Sequence, residues 1–190
     1  GDRLLAVDGQ PLQGLSFYRA GGLLTGPEGS LVRLQLQRKG RTLGIAVPRR
    51  RLTLPGVELR MVRAGIGLVR VGYFGPQTAS QARSAVQTLR SRGARSLVLD
   101  LRTNPGGDFQ QGLQVAALFR TGELVQVQTR AGIQKVTAPA EPSWKGPVAV
   151  LVDGGTASSA EIVAQALQGT RGVRVFGQRT FGKAAIQTLV

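Results

Sequence analysis

Residues 149–187 read AVLVDGGTASSAEIVAQALQGTRGVRVFGQRTFGKAAIQ. The apolar run that opens this stretch is followed by two glycines, a cluster of small residues and then apolar residues at helical spacing. This order predicts a strand, a tight turn and a helix. Ser158 lies at the junction, where the amide groups of a helix N-terminus favour developing negative charge. The pattern therefore makes Ser158 the candidate nucleophile.

The chain contains no histidine and no cysteine. A serine–histidine–aspartate or cysteine–histidine triad within this chain is therefore excluded, as are thiol redox chemistry and ordinary zinc sites. Arginine stays protonated and cannot accept a proton. If the chain is a serine hydrolase, its general base is a lysine or a carboxylate.

The chain has only four lysines, which are Lys39, Lys135, Lys145 and Lys183. A lysine acts as a general base only when burial or neighbouring positive charge lowers its pKa from about 10.4 towards 7–8. The sequences around Lys39 and Lys145 are typical of exposed turns and loops. Lys183, in the segment FGKAAI, has the most apolar neighbours. By elimination, Lys183 is the candidate base.

The 25 basic residues outnumber the 10 acidic ones, which gives a formal charge of +15. Such a charge invites a nucleic-acid interpretation. The arginines are spread along the chain, however, with a single run at residues 49–51, and aromatic residues that could stack on bases make up only 5%. We expect a solvated, arginine-rich surface and no nucleic-acid partner. Peripheral association with anionic membrane surfaces would be a by-product of this charge.

Composition and pattern predict an α/β protein in two parts. Residues 1–50 form a β-rich segment with one short helix that begins near Ser16. In residues 51–190, strands alternate with helices, which is typical of an α/β domain. The strands of this part are predicted at 57–61, 66–74, 96–101, 124–129, 133–137, 148–152, 173–176 and 186–190. No apolar run approaches the length of a transmembrane helix. The chain opens inside a strand pattern, which suggests a fragment.

A second motif, Asn104-Pro105-Gly106-Gly107, follows the predicted strand at 96–101. Two glycines allow a backbone to approach a ligand closely, and amides at a helix N-terminus bind anions. In acyl transfer such amides form an oxyanion hole, in which one donor contributes about 3–4 kcal/mol. The candidate donors are the amide of Gly106 or Gly107 and the amide of Ser159. A Pro-Gly-Gly turn after a strand is common, so the motif alone is weak.

Each candidate also has a purely structural interpretation. Ser158 and Glu161 have the spacing of a capping box, in which a serine only satisfies a helix amide. Thr156 is a rival cap, and Ser159 is a rival nucleophile. Lys183 could be an ordinary surface lysine in a turn.

Residues 1–50 resemble the second half of a PDZ domain in the segments GDRLLAVDGQPL and GPEGSLVRLQLQRKG. PDZ domains bind the C-terminal ends of peptides by adding a strand to a sheet edge. The loop that holds the peptide carboxylate normally lies upstream of this part. Peptide binding by residues 1–50 alone is therefore not predicted.

The segments GGTASSAEIVAQAL, FGKAAIQ and DLRTNPGGDF, together with the PDZ-like part, resemble the carboxyl-terminal processing peptidases, also called tail-specific proteases. The resemblance implies a crotonase/ClpP-like catalytic domain over residues 51–190. It implies that Ser158 is the nucleophile, that Lys183, 25 residues later, is the base, and that Gln187 orients the lysine. Gly106 or Gly107 and Ser159 would supply the oxyanion hole.

The same resemblance implies protein substrates recognised and cleaved at or near their C-termini, no metal or organic cofactor, and a location in the periplasm or thylakoid lumen. Several positions depart from the usual family pattern without removing a catalytic group: Asp153, Thr156, Ser159, Ala160 and Ala184. Two other classes stay open. One is a non-catalytic PDZ-type peptide-binding or scaffold protein. The other is a crotonase-like enzyme that acts on acyl thioesters.

Overall fold

The computed structural model describes residues 2–50, 56–130, 132–138 and 141–183. The chain divides into two compact units, Gly1–Thr53 and Leu54–Val190. The boundary predicted after residue 50 is next to residues 51–55, which lie outside the described residues, as does the strand predicted at 186–190.

In the described part of the first unit, residues 2–50, four strands form an antiparallel sheet that is accompanied by one helix. In chain order its elements are β1 (Arg3–Val7), β2 (Gln10–Pro11), α1 (Phe17–Leu24), β3 (Leu31–Arg38) and β4 (Arg41–Pro48). The strand order is β2-β1-β3-β4. The helix begins after Ser16, whose hydroxyl accepts the amide of Arg19 at 3.3 Å, which confirms the predicted start.

Within the described residues, the second unit contains a five-stranded sheet, three helices and a separate hairpin. Its elements are β5 (Val57–Arg63), β6 (Ile66–Val71), α2 (Thr78–Ser91), β7 (Ser96–Asp100), α3 (Phe109–Ala116), β8 (Glu123–Thr129), β9 (Gly132–Thr137), β10 (Val148–Val152), α4 (Ser159–Leu167) and β11 (Val173–Gly177). The strand order of the sheet is β11-β10-β7-β6-β5, and only the edge strand β5 is antiparallel. The mixed α/β class predicted from the sequence is confirmed.

One face of this sheet packs against the three helices. On β7, Leu97 and Leu99 are buried, and their partners on β10, Val148 and Val150, are buried with them. These residues join the apolar stripes of α2, α3 and α4 in one core. Gly67 on β6 allows the close approach of α2, since a Cβ there would come within 2.9 Å of the Leu89 side chain.

The parallel strands β6, β7 and β10 end at the same edge of the sheet, and the turns that follow them lie side by side. The strand predicted at 66–74 ends earlier, at Val71. The pairing of β6 with the parallel strand β7 ends at Arg70 and Asp100. Beyond this point the chain leaves the sheet, and Phe74 forms an isolated parallel bridge with Gly107. None of the helices in the described ranges is long and apolar enough to span a bilayer.

Candidate active site

Ser158 joins β10 to α4 in a backbone conformation that residues other than glycine rarely adopt, with φ 54° and ψ −123°. Such a conformation costs of order 1–3 kcal/mol and persists only where the surroundings enforce it. A strained strand-to-helix turn of this kind also presents the nucleophilic serine in enzymes with a nucleophile elbow. The serine itself is half-buried.

The capping box predicted for Ser158 and Glu161 is present, but its strong half is the carboxylate. The Ser158 amide donates to Glu161 Oε2 at 2.9 Å. The Ser158 side chain faces the Glu161 amide and completes the box, and that amide also donates to the Ser158 carbonyl at 2.9 Å. A hydroxyl that accepts a hydrogen bond in this way keeps its own proton, so the cap does not prevent Ser158 from donating it.

The two rival hydroxyls are both buried and already engaged. Thr156 is fully buried, and its Oγ1 donates to the Leu101 carbonyl at 2.8 Å. Ser159 is 2% exposed, and its Oγ donates to the Gly107 carbonyl at 2.8 Å. Both hydroxyls thus connect the turn between β10 and α4, which we call the serine turn, to the chain that follows β7. Ser158 is left as the accessible hydroxyl of the cluster.

Asn104 holds the turn at residues 104–107, which follows β7, against the turn between β10 and α4. This side chain is fully buried, and its Nδ2 donates to the Val71 carbonyl at 2.8 Å. Its Oδ1 accepts the Gly106 amide at 2.8 Å, and its own carbonyl accepts the Ala157 amide at 2.9 Å. The sequence marked Asn104 only as part of a turn motif and gave no sign that its side chain organises the site.

Gly106 and Gly107 are required by close contacts. Gly106 has φ +100°, and a Cβ added to it would lie 2.7 Å from Ser158 Cβ and 3.1 Å from the Ser159 nitrogen. Gly107 has φ +135°, and its Cβ would lie 2.2 Å from the Phe74 carbonyl oxygen. The turn at residues 104–107 therefore lies directly against Ser158, the candidate nucleophile.

The amides of Gly106 and Gly107 differ in their hydrogen bonding. The amide of Gly106 is committed to Asn104. The amides of Gly107 and Ser159 have no acceptor among the described residues. The second of these is the first amide of α4, where the positive end of the helix dipole lies. Both amides are thus free to donate to a ligand.

Two carboxylates brace the chain after β7. Asp153 Oδ1 accepts the amides of Thr103 at 2.8 Å and Gly155 at 3.0 Å, and the first of these bonds is the main reason that the Asp153 pKa lies below its ordinary value. Burial by itself would raise the pKa of Asp100, but two hydrogen bonds from the Arg102 guanidinium, at 2.8 and 2.7 Å, outweigh it and lower that pKa. The residues around Asp100 and Asp153 in the sequence gave no sign of either role.

Lys183 is brought to the serine turn by its backbone. The Glu161 carboxylate accepts the amides of Gly182 at 2.7 Å and Lys183 at 2.8 Å, while the Phe181 amide donates to the Thr156 carbonyl at 3.0 Å. Lys183 itself is exposed, in contrast to the apolar neighbourhood that its sequence suggested. Gln187 lies outside the described residues.

The chain is similar to peptidases of one family. The profile of peptidase family S41 matches residues 65–190. Over 98% of its length the chain is 34% identical to the carboxy-terminal processing protease CtpA of Bacillus subtilis, of which it covers 41%. It is also 34% identical, over 99% of its length, to the carboxyl-terminal-processing protease of Synechocystis, of which it covers 46%.

A solved structure of a photosystem II D1 C-terminal processing protease superimposes on the whole chain with a TM-score of 0.82 at 33% sequence identity. The chain covers 54% of that protein. It thus spans about half the length of the relatives it matches, or less.

The contact between Gly106 and Ser158 predicts that Gly106→Ala is far more damaging than Gly93→Ala. Both glycines have positive φ, +100° and +84°, so both variants carry backbone strain. A Cβ at Gly93 meets nothing within 4 Å, whereas one at Gly106 meets the serine turn. We expect a loss of roughly 1–3 kcal/mol of unfolding free energy for Gly93→Ala and a clearly larger loss for Gly106→Ala in denaturant titrations. Equal losses would contradict the contact.

Because the Glu161 carboxylate accepts the amides of Gly182 and Lys183, we expect Glu161→Gln to loosen the turn at residues 181–183. A neutral amide oxygen accepts hydrogen bonds more weakly than a carboxylate, and an NH₂ group accepts none. In hydrogen-exchange measurements we expect faster exchange at Gly182 and Lys183 and a smaller change at Phe181. Glu141→Gln, which removes an exposed carboxylate elsewhere, should leave all three amides unchanged.

Protonation of Glu161 at low pH should weaken the same two hydrogen bonds from the amides of Gly182 and Lys183. Burial raises the pKa of Glu161, but hydrogen bonds from Thr180 and from the amides of Gly182, Ser158 and Lys183 outweigh it and lower that pKa. A carboxylate with a lowered pKa stabilises the fold above its unfolded pKa of about 4.3, and this is lost as pH falls through the folded value. Protection of Gly182 and Lys183 should therefore persist at about pH 5 and disappear only below about pH 4.

Proposed function

Since this chain belongs to peptidase family S41, we propose that it is the catalytic part, with a PDZ-like unit before it, of a serine endopeptidase that cleaves proteins at or near their C-termini. The observation that carries the proposal is the position of Ser158. It is the accessible hydroxyl of its cluster, on a strained turn, beside two amides with no acceptor among the described residues.

In the proposed reaction the Ser158 hydroxyl attacks the scissile carbonyl carbon while its proton passes to the neutral amine of Lys183. The carbonyl oxygen becomes an oxyanion that accepts hydrogen bonds from the Gly107 and Ser159 amides. The protonated Lys183 then gives its proton to the leaving amine, and an acyl-enzyme forms. Lys183 next takes a proton from the water that attacks the ester carbonyl carbon, and it gives that proton to Ser158 Oγ as the ester bond breaks and the carboxyl product leaves. Of the two glycines considered from the sequence, we propose Gly107 as the donor because the Gly106 amide is already bonded to Asn104.

The role of Lys183 requires a dry amine, because a lysine accepts a proton at neutral pH only when it is desolvated or next to positive charge. Lys183 is exposed in this structure. We propose that the bound peptide covers the amine and thereby completes the site. Gln187 would orient the amine, as the family resemblance implies.

Relatives support the substrate class and the compartment. Their names describe carboxyl-terminal processing, and they include chloroplastic enzymes from Arabidopsis thaliana and Tetradesmus obliquus and cyanobacterial ones. We propose protein substrates recognised by their C-termini, with the PDZ-like first unit taking part in capture, and an extracytoplasmic location. The charge of +15 would favour contact with anionic membrane surfaces.

The assignment of Ser158 and Lys183 predicts a distinct pattern in three variants of the full-length protein. Ser158→Ala should abolish labelling by a serine-directed fluorophosphonate probe, whereas Ser159→Ala should still be labelled. Lys183→Ala should lower peptide cleavage, followed by mass spectrometry, by at least about 100-fold, since a general base contributes about 10²–10⁴. Its melting temperature should not change.

Lys135→Ala is the matched control, because Lys135 is an exposed lysine paired with Glu123. It should cleave normally. Undiminished cleavage by Lys183→Ala would end the proposal for the base. Tight binding of C-terminal peptides with neither turnover nor probe labelling would favour the non-catalytic scaffold.

Covering of Lys183 by substrate predicts a difference between two pH profiles. The profile of kcat/KM reports the free enzyme, and that of kcat reports the enzyme–substrate complex. Because only the complex shields the amine, the rise of kcat with pH should come at lower pH than the rise of kcat/KM. Coincident profiles would show that the bound peptide does not desolvate the base.

A further inference from the structure

The side chain of Ser159 is bonded to the residue that carries the other proposed oxyanion donor. Ser159 is the first residue of α4 and is only 2% exposed. Its Oγ donates to the Gly107 carbonyl at 2.8 Å. The residues that supply the two proposed donors, the Ser159 amide and the Gly107 amide, are therefore joined to each other by a hydrogen bond.

The peptide plane between Gly106 and Gly107 carries the Gly107 amide and is held at its opposite side. The Gly106 carbonyl, which belongs to this plane, accepts the Phe74 amide at 2.9 Å. In a planar trans peptide the C=O and N–H groups point in opposite directions. The bond to Phe74 therefore turns the Gly107 amide away from Phe74.

The next peptide plane, between Gly107 and Asp108, is held at both sides. Its N–H group belongs to Asp108 and donates to the Phe74 carbonyl at 2.8 Å. Its C=O group belongs to Gly107 and accepts the Ser159 hydroxyl. Among the backbone N–H and C=O groups of Gly106 and Gly107, only the Gly107 amide is thus without a partner in the described part of the chain.

Gly107 needs these restraints because a glycine has no Cβ that limits its backbone rotation. Its φ of +135° is a conformation that other residues rarely adopt. A side chain cannot be added to stiffen the position, since a Cβ would lie 2.2 Å from the Phe74 carbonyl oxygen. The direction of the Gly107 amide therefore depends on the hydrogen bonds of the two planes beside it.

Position 159 has room for a small side chain. A Cβ added to Gly112 on α3 would lie 3.3 Å from Ser159 Cβ, so α3 and α4 approach each other closely at this residue. Serine is small and still donates a hydrogen bond through its hydroxyl. Because position 159 departs from the usual family pattern, this hydrogen bond is a feature of the present chain.

We propose that the Ser159 hydroxyl positions the oxyanion hole, because its bond to the Gly107 carbonyl holds the Gly107 amide towards the oxyanion. This role rests on the proposed function, in which the amides of Gly107 and Ser159 stabilise the oxyanion. Preorganised donors lower the barrier because they do not have to reorient as charge develops. The hydroxyl acts through Gly107 and does not itself contact the substrate.

Ser159→Ala in the full-length protein tests this role. Removal of an oxyanion donor costs about 10²–10³ in kcat, and a donor that is only loosened should cost less, so we expect a loss of about tenfold. KM should not change, because the oxyanion forms only during the reaction. Peptide cleavage is followed by mass spectrometry, and titration with the fluorophosphonate probe counts the active sites, so that misfolded protein does not enter kcat.

A peptide aldehyde gives a second measurement on the same variant. Ser158 Oγ adds to the aldehyde carbon, its proton passes to Lys183, and the aldehyde oxygen becomes an oxyanion that resembles the transition state. The corresponding peptide alcohol cannot form this adduct. Ser159→Ala should weaken inhibition by the aldehyde by a factor similar to the loss in kcat, and it should leave inhibition by the alcohol unchanged.

Ser91→Ala is the matched control, because Ser91 Oγ also donates to a backbone carbonyl, that of Thr88, at 2.9 Å, at the end of α2. It should cleave as the wild type does. Ser159→Thr keeps the hydroxyl but adds a methyl group where α3 and α4 are close. It should therefore have a lower melting temperature than Ser159→Ala and nevertheless a higher kcat, which separates positioning from stability.

Three results would overturn the proposal. The first is an undiminished kcat in Ser159→Ala. The second is an equal weakening of the aldehyde and the alcohol. The third is a Ser159→Thr variant that is as slow as Ser159→Ala. Failure of the proposed function would look different, because Ser158→Ala would then still be labelled and would still cleave peptides.

Discussion

The site depends on the close approach of two turns, one after β7 and one after β10. Gly106 lies against Ser158, and no residue with a Cβ fits there, since that atom would lie 2.7 Å from Ser158 Cβ. The buried Asn104 side chain fixes this approach by binding the end of β6 and the Gly106 amide, while its backbone accepts Ala157. Parallel strands make the approach possible, because their carboxyl ends meet at one edge of the sheet.

Glu161 adds the third segment to this pair of turns. One carboxylate accepts amides from Ser158, Gly182 and Lys183, so the backbones of the proposed nucleophile and the proposed base share one acceptor. The capping interpretation of Glu161 and its role in the site are therefore not alternatives. The carboxylate that caps α4 also carries the turn that contains Lys183.

The sequence determined the α/β class, the order of the elements and the position of Ser158 between a strand and a helix, since these follow from local periodicity and turn residues. It also singled out Lys183, because the chain lacks histidine. It could not separate Gly106 from Gly107 or Ser158 from Ser159, and it missed the side-chain role of Asn104. Only the tertiary structure decided which amides and hydroxyls are engaged, because their partners lie up to 55 residues away along the chain, as Thr156 and Leu101 do. Those contacts arise from packing between strands, and no local pattern records them.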